Sequence, residues 1–251
     1  MKKVVYGTVS ALALMLAATG AQADDLQAAL GVSATSNNVQ GNAAALTASF
    51  GDNEIDRNAF GQAKGAFNVG QNESINSAVQ QSMAIAAIIN SPDASDTVVG
   101  GGETNQVGLA VSLGRSSVTG NAAALDLVTG HNELENNAFG QSAGAFQVLQ
   151  NHSLNSGVSQ SMAIGAVLTN DRDHDSTPFD SSVSVAVSAL SASVTGNAAV
   201  AAATGTFTNT NSITNNAFGQ ARGAYNVLQN SSINSAVQQG MSIGAVVNRA
   251  N

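Results

Sequence analysis

Apolar residues alternate with small or polar ones along much of the chain. In GAFNV (65–69), Phe67 and Val69 share one parity, while Ala66 and Asn68 share the other. In SINSAVQQ (74–81), Ile75, Ser77 and Val79 alternate with polar neighbours, and Met83, Ile85 and Ala87 continue the beat. A period of two is the strand signal. The Ala-rich stretch 41–49 is also compatible with a helix. Gly61, Gly65 and the dense Asn and Ser make a long helix costly, because they loosen the helical backbone or compete with it.

The same alternating string occurs three times. NAFGQAKGAFNVGQNESINSAVQQSMAIAAI begins at Asn58, a second copy at Asn137 and a third at Asn216, so both steps are 79 residues. Eighteen of 31 positions are identical in all three copies, which identifies internal duplication. The unit extends upstream through GNAAAL at Gly41, GNAAAL at Gly120 and GNAAV at Gly196. A short alternating stretch precedes each: LGVSAT from Leu30, LAVSLG from Leu109 and VAVSAL from Val185. Repeats are placed at 27–89, 107–168 and 183–248. The third copy carries three extra residues, placed around 206–210, and its preceding linker is three shorter. The linkers 90–106 and 169–182 hold both prolines and much of the acid, and read as solvated and flexible.

A shorter beat runs inside each unit. Gln62, Gln71 and Gln80 are nine apart, as are Gln220, Gln229 and Gln238; copy two keeps Gln141 and Gln150, with Ser159 and Gln160 at the third place. Nine residues suit a short strand and a corner of Gly, Asn or Ser. The expected fold is therefore all-β: a repeat β-solenoid or cross-β stack of three imperfect repeats, each holding several nine-residue rungs.

Stacking also explains the amides. Identical positions piled about 4.7–4.8 Å apart would repel if charged, whereas an amide donates to one copy and accepts from the next. The expected ladder comprises Gln62, Gln71, Asn72, Asn76 and Gln81, then Gln141, Gln150, Asn151, Asn155 and Gln160, then Gln220, Gln229, Asn230, Asn234 and Gln239. The expected core anchors are Phe60, Phe67 and Val69, with Phe139, Phe146 and Val148, and Phe218, Tyr225 and Val227. Lys64 and Arg222 share an equivalent position with Ala143, and read as exposed residues that discourage edge-to-edge pairing.

Composition narrows the function. Lys2 and Lys3, the apolar run 4–18 and Ala21-Gln22-Ala23 form an export signal over residues 1–23, with cleavage expected before Asp24. Losing those two lysines takes the formal charge from −8 to −10, which disfavours nucleic acid and anionic lipid as partners. No cysteine is present, so no disulfide holds the chain together. Charged residues make up 10 % of the chain, against about 25 % in ordinary domains, and aromatic residues 4 %, so cohesion must come from elsewhere than a large aromatic core. After the signal no apolar run is long enough for a spanning helix.

No enzyme is expected. His131 and His152 have no His at the matching positions of other copies, His174 lies in a linker, and no Gly-x-Ser-x-Gly frames a nucleophile. Asp171-Arg172-Asp173-His174-Asp175 resembles the start of a calcium loop but lacks the position-6 glycine and the distant Glu. No metal or cofactor is therefore assigned. Sequons at Asn72, Asn151 and Asn230 fall on ladder positions and are read as ladder chemistry.

An exported, cysteine-poor chain with three imperfect repeats and acidic or Pro-containing linkers resembles the Fap fibril proteins, functional amyloids of Gram-negative biofilms. The elements that carry the likeness are 77–81 (SAVQQ) and 235–239 (SAVQQ); more distantly, 220–229 (QARGAYNVLQ) resembles the Gln-rich repeats of curli. The resemblance implies a secreted, self-polymerising fibre subunit of the biofilm matrix or cell surface. It also implies a nucleator, chaperone, sister subunits and a dedicated outer-membrane pore as partners. The third copy runs to Val247 with only Arg249 charged beyond it, which fits an uncapped, assembling end. The rivals are a non-polymerising adhesin or β-solenoid binding module, which would need polar or charged end caps, and an enzyme on a parallel β-helix, which would need a cluster of carboxylates or basic residues on one rung face.

Overall fold

The computed structural model describes residues 25–90, 104–171 and 182–250. The expected signal peptide (1–23), the linker segments 91–103 and 172–181, and most of the calcium-like stretch lie outside them.

All described secondary structure is β, without a helix among the described residues. The first repeat supplies β1 (Asp25–Gln40), β2 (Ala43–Ile55), β3 (Lys64–Asn72) and β4 (Ala78–Asn90). The second supplies β5 (Thr104–Thr119), β6 (Ala122–Leu134), β7 (Ala143–Asn151) and β8 (Gly157–Asp171). The third supplies β9 (Ser182–Thr195), β10 (Ala198–Ile213), β11 (Arg222–Asn230) and β12 (Ala236–Ala250). Strands at repeat ends thus run a few residues into the segments read as linkers.

The twelve strands form four parallel three-stranded sheets: β1-β5-β9, β2-β6-β10, β3-β7-β11 and β4-β8-β12. Every sheet takes one strand from each repeat, with the second repeat in the middle. Gln71 pairs with Gln150 and Gln150 with Gln229, and the same rule holds along the four sheets. One more bridge column, Ile75–Leu154–Ile233, joins the turns between the third and fourth strands. Each repeat is therefore one layer of four strands, and three layers stack. The backbone bonds run between layers; within a layer, neighbouring strands meet through side chains.

This corrects the expectation of several nine-residue rungs per repeat. The rung is the whole 79-residue repeat, and the nine-residue beat is the spacing of strands and corners inside one layer. The three extra residues also sit earlier than expected: the register of β10 against β6 shifts between Ala201 and Thr206. Val107↔Val183 and Ala122↔Ala198 are 76 apart, and from Leu127↔Thr206 onward the step is 79. The insertion cancels the shorter linker, so everything downstream returns to register.

Corners are set by residues that tolerate left-handed backbone. Gly41, Gly120 and Gly196 turn the first strand into the second at φ 68°, 65° and 64°. Inside each layer the second strand, the turn after it and the third strand enclose an apolar core. That core centres on Leu134, Phe139, Phe146 and Val148, with Phe60, Phe67, Phe218 and Tyr225 packed on it from the layers either side. The third strand's other face meets the fourth, where Leu149 and Leu228 pack on Val158, Val79 and Val237. The fourth strand's far side meets the first through Ala84, Ala86 and Ala163 against Ala110, Ala29 and Ala186. That contact is close: a Cβ on Gly31 would lie 2.5 Å from the Ile85 carbonyl oxygen. Small side chains let the two backbones approach, as in dry interdigitated sheets.

Candidate functional site: the stacked amide and aromatic columns

Among the described residues the chemistry concentrates in columns that run through the three layers. At the end of the third strand, Gln229 Nε2 donates to Gln150 Oε1 at 2.8 Å, and Gln150 Nε2 to Gln71 Oε1 at 2.8 Å. Beside it Asn230 donates to Asn151 at 2.7 Å and Asn151 to Asn72 at 2.8 Å. The fourth strand runs the other way, with Gln81 donating to Gln160 at 3.0 Å and Gln160 to Gln239 at 3.3 Å. The spare amide hydrogens reach main-chain carbonyls; Gln150 also bonds Asn53 O at 2.6 Å and Gln160 bonds Asn226 O at 2.7 Å. A primary amide has two donors and an acceptor, which is what a buried stack of identical residues requires.

Asn76, Asn155 and Asn234 play a different part. They occupy left-handed corners at φ 53°, 49° and 51°. Asn76 Nδ2 reaches up one layer to Ala122 O at 3.0 Å, and Asn155 to Ala198 O at 2.8 Å. Gln62, Gln141 and Gln220 stand at exposed corners with φ 68°, 61° and 59°, and no amide-to-amide bond joins them among the described residues. Their place in the nine-residue beat marks a turn.

A fourth column was not read from the sequence: Asn53 donates to Asn132 at 2.8 Å and Asn132 to Asn211 at 2.8 Å. Asn53 also caps Asn151 O and Asn132 caps Asn230 O, tying the second strand of one layer to the third strand of the next. The signal was present in the sequence, since Asn recurs at both 79-residue steps.

The aromatic anchors stack in two columns. Phe60, Phe139 and Phe218 lie parallel with centroids 5.0 and 5.1 Å apart. Phe67, Phe146 and Tyr225 do the same at 5.0 and 5.0 Å. Within each layer the two rings meet edge to face, at 5.6 Å for Phe139 and Phe146. Each ring is thus stacked along the column and edge-on across it, both favourable geometries. Val69, Val148 and Val227 fill the space beside them. Tyr225 keeps its hydroxyl satisfied by donating to Ser142 O at 3.1 Å.

Burial depends on the layer. Gln150, Phe139 and Phe146 are fully buried, while their counterparts above and below are half-exposed, because the outer layers each have one open face. Lys64 and Arg222 are exposed at the start of the third strand, with Ala143 between them.

Titratable groups lie mostly at the rim. His131 Nδ1 lies 2.9 Å from Asp52 Oδ1 on the solvent side. His152 is buried in the middle layer with Nδ1 unpartnered; burial holds its pKa below the usual histidine value, opposed by Glu73 and Asp52. Glu54, Asp56 and Glu135 bring carboxylate oxygens within 4.8 Å of one another, where Asn136 donates to Asp56 at 2.8 Å. No described helix is long and apolar enough to cross a membrane. Comparison with protein-family models, with characterised proteins and with solved structures finds no match to the chain.

Proposed function

We propose that this chain is the subunit of a secreted, self-assembling fibre of the functional-amyloid type, acting in a biofilm matrix or on the cell surface. One observation carries the reading: three copies of one layer stack in register along four sheets, and the stack has two open faces. Each open face presents unpaired strand backbone and half-satisfied amides, which template another strand. A fourth layer added to either face would repeat the bonds already present between the first three.

Growth would proceed by templated addition, with the incoming chain's layer pairing onto the open end. Export through the signal at 1–23, a nucleator and an outer-membrane pore complete the proposal, as the Fap resemblance implies. The test is incubation of the purified chain from Asp24 onward, followed by thioflavin fluorescence and electron microscopy. Fibres with a meridional reflection near 4.7–4.8 Å are the expected result. A chain that stays monomeric on long incubation would sink the proposal and leave a non-polymerising adhesin in its place.

A further inference from the structure

We infer that successive copies join head to tail, the open face of the third layer taking the open face of the first layer of the next copy. This rests on the fibre reading above and adds the identity and polarity of the junction.

Three observations converge. First, only a translation continues all four sheets. Two copies meeting by like faces would be related by a two-fold axis in the layer plane, which turns the four-strand outline over and either reverses strand direction or exchanges the strands' faces. The parallel register seen along every sheet would be lost at that junction.

Second, the polar columns end in complementary groups. Gln71 has a donor to spare at the first face, because its Nε2 bonds only Glu54 O, whereas Gln229 Oε1 at the third face has no described donor. The column Gln81–Gln160–Gln239 runs oppositely and ends in the inverse pair. The corner bonds Asn76 to Ala122 and Asn155 to Ala198 call next for Asn234 to Ala43 of the following copy. A junction of like faces brings the same end of each column to both sides and leaves these complementary bonds unmade.

Third, the layers differ in charge. The first described layer carries Asp25, Asp52, Glu54, Asp56 and Glu73, and the second carries Asp126, Glu133, Glu135 and Asp171, with Glu133 and Glu135 in register with Glu54 and Asp56. Residues 182–250 contain no Asp or Glu; the positions matching Asp52, Glu54, Asp56 and Glu73 are Thr210, Ser212, Thr214 and Ser231. A head-to-tail junction therefore sets hydroxyls against carboxylates. The contact already has a precedent inside the molecule, where Ser212 Oγ donates to Glu133 Oε1 at 3.1 Å. A junction of two first layers would instead gather acid against acid. The cost of the head-to-tail order is Arg222 beside Lys64 of the next copy; both are solvent-exposed, where screening leaves little repulsion.

Cysteine cross-linking tests this in the full chain, which has no cysteine of its own. In Glu54→Cys/Ser212→Cys the two thiols of one chain are two layers apart, about 9.5 Å, beyond disulfide reach. Across a head-to-tail junction they are about 4.8 Å apart at Cα and can bond. Oxidised fibres of the double variant should dissolve into a covalent ladder of multimers on a non-reducing gel, while either single variant gives monomers. Dimers from fibres of a single variant, or monomers alone from fibres of the double variant, would overturn the inference while leaving the fibre reading intact. No fibres from the unmodified chain would overturn both.

Ser212→Lys keeps the question answerable if the cysteine variant does not assemble. Between Glu133 and the next copy's Glu54 it should speed elongation about two- to fivefold at low salt, an effect that added salt abolishes. Slower growth than the unmodified chain would show that position 212 meets another 212, and would overturn the inference.

Discussion

Gln150 is held between Gln71 and Gln229 by two side-chain bonds of 2.8 Å, and its Nε2 also reaches the Asn53 and Glu133 carbonyls. The middle amide is therefore donor to one neighbour and acceptor from the other, in a site without water access.

Gln150→Glu removes the donors and buries a carboxylate beside three acceptor oxygens. Leaving a buried charge uncompensated costs about 3–5 kcal/mol. The variant should lose its β structure at pH 7 and regain part of it below the carboxyl's raised pKa, when the neutral acid can donate one bond. Gln71→Glu and Gln229→Glu are half-exposed and should cost about 1 kcal/mol or less. Urea titrations followed by circular dichroism at pH 7 and pH 4 would show the ranking; equal effects at 71 and 150 would refute it.

Gly144→Ala tests how closely the layers approach. A Cβ at Gly144 would stand 1.9 Å from the Gly65 carbonyl oxygen, and its φ of 140° is one that a side chain disfavours. The backbone on both sides is fixed by ladder bonds, so the clash can only be relieved by opening β3 from β7. The substitution should cost more than about 3 kcal/mol and prevent layer stacking. Gly120→Ala is the control: nothing lies within 4 Å of its Cβ, and only the left-handed φ of 65° is penalised, at about 1–2 kcal/mol. A Gly144→Ala chain as stable as the Gly120→Ala chain would contradict the observed packing.

The contrast between these glycines shows what a sequence reveals of such a fold. Gly65, Gly144 and Gly223 mark one position at a step of 79, and the strand parity around them is plain in Phe67 and Val69. Strand content and stacking partners were legible because identity at that step is dense. The rung is not legible, because Gln62, Gln71 and Gln80 recur every nine residues and a corner Gln looks like a ladder Gln until its φ is known. Nor could parity show that Ala84 and Ala110 face each other, since that contact depends on how the chain folds back within a layer.

His152 sets a pH dependence. Its imidazole is buried, and burial lowers its pKa below that of the unfolded chain, despite the nearby Glu73 and Asp52 carboxylates. The unfolded state then binds the proton more readily, so stability rises with pH in this window. The contribution is complete above about pH 6.5, the unfolded value, and is lost as pH falls from there towards the folded pKa. His152→Asn should flatten the pH dependence of the urea midpoint between about pH 7.5 and 5. A slope unchanged by the substitution would place the titrating group elsewhere.

The aromatic columns give a graded test of layer position. Phe139 is stacked on both faces, by Phe60 at 5.0 Å and Phe218 at 5.1 Å, and meets Phe146 edge-on at 5.6 Å. Removing it leaves a cavity that flanking layers cannot fill, because their strands are pinned in register. Phe139→Ala should cost about 3–5 kcal/mol. Phe60→Ala opens a space that is already partly exposed on one side, and should cost about half as much. In the proposed fibre the open face beside Phe60 would be covered by the preceding copy, and the two substitutions should then converge in cost. Denaturant dissociation of fibres compared with unfolding of the monomer would read the difference. Persistence of the monomer's ranking in the fibre would mean that the first layer stays uncovered.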